Sequence, residues 1–274
     1  MHDDACTSFL QWCLPRLNKR WAGFRKVRGQ VCKRLARRLQ ELELRSLDAY
    51  RDYLAAHPDE WERLDAMCRV TISRFYRDRG VFDALRDPLL PDLARRLRAR
   101  GASVLRAWSA GCASGEEVYT LRLVWAHDVG RRVPGVALHV TATDAQAHML
   151  ARARRGCYPR GTLKELPDAW IDAAFEAHDD AEEPCCLRPK YKRDIDWHQQ
   201  DIRTAMPEGP FHLILCRNLV FTYFDESLQR ACLDRMLARL APGGLLVLGK
   251  HEALPGGDWP LAAWDAHKRL YRRT

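Results

Sequence analysis

Residues 105–121 read Leu-Arg-Ala-Trp-Ser-Ala-Gly-Cys-Ala-Ser-Gly-Glu-Glu-Val-Tyr-Thr-Leu. A short apolar run from Val104 to Trp108 enters a turn of small residues, Ser109-Ala110-Gly111-Cys112-Ala113-Ser114-Gly115. Beyond the turn Val118, Leu121 and Trp125 recur at helical spacing. A strand that feeds such a turn and then a helix lets a ligand approach bare backbone, because no Cβ stands in the way.

The turn is neither G-x-G-x-x-G nor a phosphate loop, since no Lys-Ser/Thr pair follows the last glycine. Glu116-Glu117 follow it instead. Acids at a helix start suit the helix dipole but repel phosphate. A ligand with hydroxyls and positive charge fits better than a pyrophosphate. S-adenosylmethionine (SAM), with its ribose, sulfonium and ammonium, is such a ligand, and Ser109 and Gly111 are candidate contacts. An ordinary strand-to-helix turn with N-terminal acids is the alternative.

Downstream, strands keep alternating with helices, the signature of a doubly wound sheet. Residues 136–143 read as the second strand and end at Asp144, where an acid is placed to accept hydrogen bonds from ribose hydroxyls. A helix over 148–155 follows. Residues 167–196 interrupt the alternation with a polar stretch, read as an inserted lobe or hairpin. Residues 197–201 lead back to the sheet, and 211–216 form a buried strand. That strand ends in Arg217-Asn218, polar residues at the edge where α/β sheets bind ligands. A helix over 228–240 closes at Ala241-Pro242-Gly243-Gly244, and 245–248 is the next strand.

Upstream, residues 1–88 read as a helical domain and 89–274 as the α/β domain. Val27, Val31, Leu35, Leu39 and Leu42 fall on one helical arc, with Lys26, Lys33 and Arg37 opposite. Ten Lys or Arg residues and no acid lie between Arg16 and Leu39, within a chain of net charge +9. That concentration suits an acidic partner, for which Lys26, Lys33, Arg34, Arg37 and Arg38 are the candidate contacts. Nucleic acid is the weaker match, because few aromatics accompany the cations for base stacking. Leu47, Tyr50 and Leu54 predict a further helix that stops near His57-Pro58. Another begins at Trp61. Residues 70–78 break the helical pattern, and 83–100 resume it around Pro88 and Pro91.

With 274 residues the chain can bury a substantial core. Hydrophobic residues at 47% and charged ones at 30% match a soluble globular protein. No apolar run reaches the length of a membrane span, and Met1-His2-Asp3-Asp4 does not begin a signal peptide, so a cytoplasmic protein without membrane insertion is expected. Ten cysteines without a C-x-x-C pair argue against a metal site and against a disulfide framework, and for reduced thiols.

Three stretches together resemble the CheR-type chemotaxis receptor glutamate methyltransferases. They are Ser73-Arg74-Phe75-Tyr76-Arg77-Asp78, then Trp108-Ser109-Ala110 with Ser114-Gly115-Glu116-Glu117, and Leu215-Cys216-Arg217-Asn218. The resemblance implies an all-helical N-terminal domain before a Rossmann-like, SAM-dependent methyltransferase sheet with a small inserted β-lobe. It also implies that Thr71, Ser73 and Arg77 approach the cofactor, with Thr71 standing for the family's Asn and Ser73 for its Thr. Glu117 would meet the methionine or ribose part and Asp144 the ribose. Asp201-Ile202, where the family commonly has Asn-Leu, would flank the adenine, and Arg217-Asn218 would close the site. The family's Arg-Asn-x-x-Ile-Tyr-Phe is one residue longer here, from Arg217 to Phe224, so either Tyr223 or Thr222 takes the place near the transferring methyl. The 167–196 lobe has no glycine, unlike the members that grip a receptor tether.

The expected chemistry is methyl transfer to glutamate carboxylates of a chemoreceptor-like protein, with Arg77 and Tyr223 as candidate catalytic residues. A carboxylate is already ionised at pH 7, so no strong general base is required. Two other functions fit less of the chain. One is a related methyltransferase acting on a small molecule or a non-receptor protein. The other is a non-catalytic SAM-binding or nucleic-acid-binding module.

Overall fold

The computed structural model describes residues 3–176, 183–265, 267 and 269–274. The chain divides into two units, residues 1–71 with 222–229, and residues 72–221 with 230–274. The division falls at residue 71 rather than 88. Phe75, Tyr76, Val81 and Phe82 bury their side chains in the core of the α/β unit, which takes the segment with them.

The helical unit contains α1 (Asp3–Cys13), α2 (Trp21–Phe24), α3 (Arg28–Glu41), α4 (Leu47–Ala56) and α5 (Glu60–Met67). Val31, Leu35 and Leu39 form the buried stripe of α3, each contributing about 1.5–3 kcal/mol by leaving water. Val27 and Leu42 flank the helix as its caps. The Ser46 side chain accepts the Ala49 N–H at 3.1 Å and so starts α4. That helix stops at His57, where the following Pro58 disfavours helical backbone. Residues 222–225 belong to this unit through pairing: Arg20 N–H donates to Tyr223 O and Asp225 N–H to Asn18 O, both at 2.9 Å. Gly23 is required beneath them, since a Cβ there would stand 2.1 Å from Thr222 O.

The basic run is only partly a surface. Lys19 is buried on Asp65, and Arg28 pairs with Asp3. Arg34 donates to the Met67 carbonyl at 2.9 Å. Arg38 grips Glu60 with two nitrogens, at 2.9 and 2.7 Å. Arg34 and Arg38 therefore hold the unit together and are withdrawn from the expected docking face. Arg25, Lys26, Lys33 and Arg37 remain exposed.

Glu60 also accepts the Tyr50 hydroxyl at 2.7 Å and is itself buried. The Arg38 hydrogen bonds hold its carboxyl below the usual carboxylate range, against the opposing effect of burial, and Tyr50 adds to the lowering. A depressed folded value means stability that is present above the unfolded value of about 4.3 and lost as pH falls through the folded one. The helical unit should lose stability as pH drops below about 4.3. Glu60→Gln should remove part of that acid dependence, read as denaturation midpoint against pH.

The cysteines depart from the expectation of reduced thiols. Cys6 bonds to Cys32, and Cys157 to Cys186. The partners are 26 and 29 residues apart, so only tertiary packing brings them together. In the second pair the two residues face each other across an antiparallel strand pair. Cys13, Cys68, Cys112, Cys185, Cys216 and Cys232 are free and buried.

The α/β unit opens with α6 (Arg79–Ala84) and α7 (Leu90–Ala99), which lead to β1 (Val104–Ala110). Next come α8 (Glu116–Val124), the short α9 (Gly130–Arg132), β2 (Ala137–Asp144) and α10 (Ala147–Arg155). β3 (Cys157–Tyr158) and β4 (Cys185–Cys186) make a separate two-stranded sheet, with α11 (Asp168–Ala174) between them. The lobe thus begins ten residues before the expected Pro167, and its middle, residues 177–182, lies outside the described residues. β5 (Ile195–Gln199), β6 (Phe211–Cys216), α12 (Val220–Tyr223), α13 (Glu226–Arg239) and β7 (Leu240–Leu248) complete the expected alternation. A hairpin of β8 (Leu261–Asp265) and β9 (Leu270–Arg273) adds two antiparallel strands that the sequence reading did not anticipate.

The large sheet runs in the order β5-β2-β1-β6-β7-β9-β8, and its first five strands are parallel. From β1 the chain winds outward to β2 on one side and later returns to β6 on the other. That reversal opens a crevice beyond the carboxyl ends of β1 and β6, where ligands bind in such sheets. Residues 111–115 and 217–219 leave the sheet there.

Candidate functional site

The turn after β1 is shaped by backbone geometry. The Gly111 and Cys112 N–H groups both donate to Thr143 O, at 2.8 and 2.9 Å, which bends the chain away from the strand. Gly111 has φ +74° and Gly115 φ +89°, conformations that glycine adopts without strain. At Gly115 a Cβ would also stand 2.9 Å from Ala153 Cβ and 3.1 Å from the Trp197 ring. Helix α8 starts at this point, with Glu116 and Glu117 in its first turn.

The two acids divide their work. Glu116 is buried and takes the Ser114 hydroxyl at 2.9 Å. Glu117 takes the Ser109 hydroxyl at 2.8 Å on one oxygen and Arg217 at 3.0 Å on the other. Arg217 is the hub of the site. Its side chain is 2% exposed, and it also donates to Asp78 Oδ2 at 2.8 Å and Arg77 O at 2.7 Å. Its guanidinium lies 5.1 Å from the Phe82 ring centre.

Arg77 does not pair with its neighbour Asp78, which belongs to Arg217. It donates instead to Ile72 O at 2.7 Å and Asn218 Oδ1 at 3.3 Å. A guanidinium carries five N–H donors, so these bonds leave donors to meet a carboxylate. Tyr76, Asp78 and Asn218 all have left-handed φ, at +52°, +60° and +55°. Such backbone costs on the order of 1–3 kcal/mol per residue and clusters where a site demands it.

Asp144 ends β2 and anchors the glycine turn. Its Oδ2 accepts the Ala113 N–H and its Oδ1 the Gln146 N–H, both at 2.9 Å. Asp201 directs both oxygens to Arg203, at 2.9 and 2.7 Å, and Ile202 beside it is buried. Ser73 and Thr71 are half-buried, Ser73 in the α/β unit and Thr71 in the helical unit. Tyr223 also belongs to the helical unit, where its ring packs on Phe24 with centroids 5.1 Å apart.

The structure therefore brings Arg77, Asp78, Ser109, Glu117, Arg217 and Asn218 into one connected network, with Gly111 and Asp144 shaping the adjoining turn. Two members were not singled out from sequence. Asp78 lay inside a quoted motif, but only the fold pairs it with Arg217. Glu252, which joins through the Asn218 N–H it accepts at 2.8 Å, sits in a loop without periodicity, and nothing in its neighbours in sequence marked it.

The chemistry of this set fits SAM. Carboxylates of Asp78, Glu116, Glu117 and Asp144 outnumber the guanidiniums of Arg77 and Arg217, which favours a sulfonium and an ammonium over a phosphate. Asp144 lies at the strand end that suits a ribose. Gln200 Oε1 is buried without a hydrogen-bond partner among the described residues, an acceptor of the kind an adenine amino group satisfies.

Comparisons with known proteins agree. A family model described as CheR methyltransferase, SAM binding domain, matches residues 71–266, and one described as CheR methyltransferase, all-alpha domain, matches residues 26–65. A chemotaxis protein methyltransferase of Listeria monocytogenes is 33% identical over 198 residues, covering 72% of this chain and 71% of that protein. The Escherichia coli chemotaxis protein methyltransferase is 31% identical over 230 residues, covering 82% of this chain and 76% of its own length. Chemotaxis protein methyltransferase 2 of Pseudomonas aeruginosa is 32% identical over 226 residues, covering 81% and 77%. No helix among the described residues is long and apolar enough to cross a membrane.

Proposed function

The chain belongs to the CheR methyltransferase family, and we propose that this SAM-dependent methyltransferase esterifies glutamate side chains of a chemoreceptor-like protein. The observation that carries the reading is the acid-rich glycine turn between β1 and α8, tied through Glu117 to Arg217 and beside Arg77.

When bound, SAM supplies a methyl group that a carboxylate oxygen takes in line as the carbon–sulfur bond breaks and sulfur keeps the electron pair. The residues of this chain have no proton to move, because a glutamate acceptor is already ionised at pH 7. Their task is alignment and exclusion of water, and alignment alone can supply about 7–11 kcal/mol of the barrier. Asp144, Glu117, Ser109, Gly111, Ser73, Thr71 and the Asp201-Ile202 pair are proposed to hold the cofactor. Arg77 is proposed to orient a carboxylate through its remaining N–H groups. Tyr223 is proposed, on the family resemblance, as the tyrosine that meets the acceptor. The exposed cations Lys26, Lys33 and Arg37 are proposed to dock an acidic helical surface.

The test is transfer of tritiated methyl from SAM to receptor-bearing membranes. Label is expected on the receptor band and should be released as methanol by mild alkali, which cleaves esters and leaves N-methyl groups intact. Lys33→Glu with Arg37→Glu should slow labelling while leaving SAM affinity unchanged. Alkali-stable label, or label only on small molecules, would favour the second reading, which the absence of glycine from residues 167–196 supports.

A further inference from the structure

Glu252 is a buried acid that the methyl-transfer chemistry does not use. It lies four residues past β7, and only 2% of its surface is exposed. Its Oε2 accepts the Gly249 N–H at 2.6 Å and the Asn218 N–H at 2.8 Å. Its Oε1 accepts the Leu219 N–H at 3.1 Å. One carboxylate thus ties the loop leaving β6 to the loop leaving β7, at the edge of the sheet where the site lies. Burying a charge is costly unless hydrogen bonds replace its water, and three backbone donors do so here. The fit is close: a Cβ on Gly249 would stand 2.8 Å from Glu252 Oε2 and 3.0 Å from Asn218 N.

The two residues held on the β6 side each reach the cofactor site. Asn218 has φ +55°, and its Oδ1 accepts from Arg77 at 3.3 Å. Leu219 packs on the first glycine of the turn after β1, so closely that a Cβ on Gly111 would stand 2.4 Å from Leu219 Cδ2. We propose that Glu252 is a positioning residue of this methyltransferase, and that by clamping Asn218 and Leu219 it sets Arg77 and the Gly111 turn for cofactor binding. The inference rests on the reading of this site as the SAM site.

The carboxylate is needed in its ionised form, because both oxygens must accept. A glutamine of the same size would turn an NH2 donor toward at least one of the three N–H donors. Glu252→Gln should therefore loosen the loop without opening a cavity. Two readouts separate positioning from general stability. The first is hydrogen exchange in the protein without added ligand: amides 218, 219 and 249 should lose protection by about tenfold or more, while those of β1 and β2 stay protected. The second is calorimetric SAM affinity, expected to fall by about tenfold or more, since small misplacements in a site have effects of this size. Leu219→Ala should weaken binding too, and its effect should not add to that of Glu252→Gln, because both act through one contact.

Wild-type SAM affinity in Glu252→Gln would overturn the proposal, as would additive effects or a loss of protection spread over the whole α/β unit. If Glu252→Gln fails to fold, Glu252→Asp keeps the charge but draws the oxygens back, and the same readouts decide. A wild-type protein that is folded and binds no SAM would instead overturn the cofactor reading itself.

Discussion

Arg217→Ala is expected to abolish detectable SAM binding and to destabilise the α/β unit by about 3–5 kcal/mol. The guanidinium is almost wholly buried, and its carboxylate partners Asp78 and Glu117 are only 18% and 15% exposed. Removing it leaves two partly desolvated carboxylates facing a hole, with the Arg77 carbonyl deprived of a donor. Breaking a buried pair in this way costs far more than the pair contributes when intact, because the stranded charges cannot regain water. The functional loss follows from the same contacts. Glu117 is held by Arg217 on one oxygen and Ser109 on the other, and the Arg77 backbone by Arg217, so both candidate cofactor contacts lose their positions together. Arg217→Lys keeps the charge but has no planar fork to reach three acceptors, and it should fall between the two. Urea denaturation with an unchanged slope gives the stability change, and calorimetry the binding. A midpoint and an affinity both equal to wild type would remove Arg217 from the centre of the site.

Local pattern made the parallel strands readable. Phe211–Cys216 is an apolar run bounded by turn residues, and it became β6 with the expected limits. The stripe Val31, Leu35, Leu39 is likewise set by helical period alone. What sequence could not supply was pairing across distance. Nothing near Arg34 or Arg38 announces that one meets the Met67 carbonyl and the other Glu60, so a run of cations looked more exposed than it is. The Cys6–Cys32 and Cys157–Cys186 bonds have the same character, as have the contacts of Asp78 and Glu252. The C-terminal hairpin was missed for another reason. Leu261-Ala262-Ala263-Trp264-Asp265 has no alternation of polar and apolar residues, because this strand lies at the edge of the sheet with its middle three residues exposed.

Asp144→Ala should weaken SAM binding by about 100-fold, equivalent to about 2.7 kcal/mol. Two physical causes can produce such a loss, and the structure shows how to separate them. The carboxylate accepts the Ala113 N–H, and Ala113 stands at φ +47°, where an L-residue other than glycine is strained by about 1–2 kcal/mol. Without Asp144 the turn can relax, and binding would suffer even if the carboxylate never met a ribose. Ala113→Gly removes that dependence, since glycine adopts the same φ without strain. On the ribose reading the double variant stays as weak as Asp144→Ala, whereas recovery to near wild-type affinity would make Asp144 a loop anchor only. S-adenosylhomocysteine gives the second discrimination. It shares the ribose but lacks the sulfonium charge, so a lost ribose contact should weaken both ligands equally. A lost negative charge acting at a distance should weaken SAM more, and should do so less at high salt. Equal losses for the two ligands, unrelieved by Ala113→Gly, are the result expected for a carboxylate that holds the ribose hydroxyls directly.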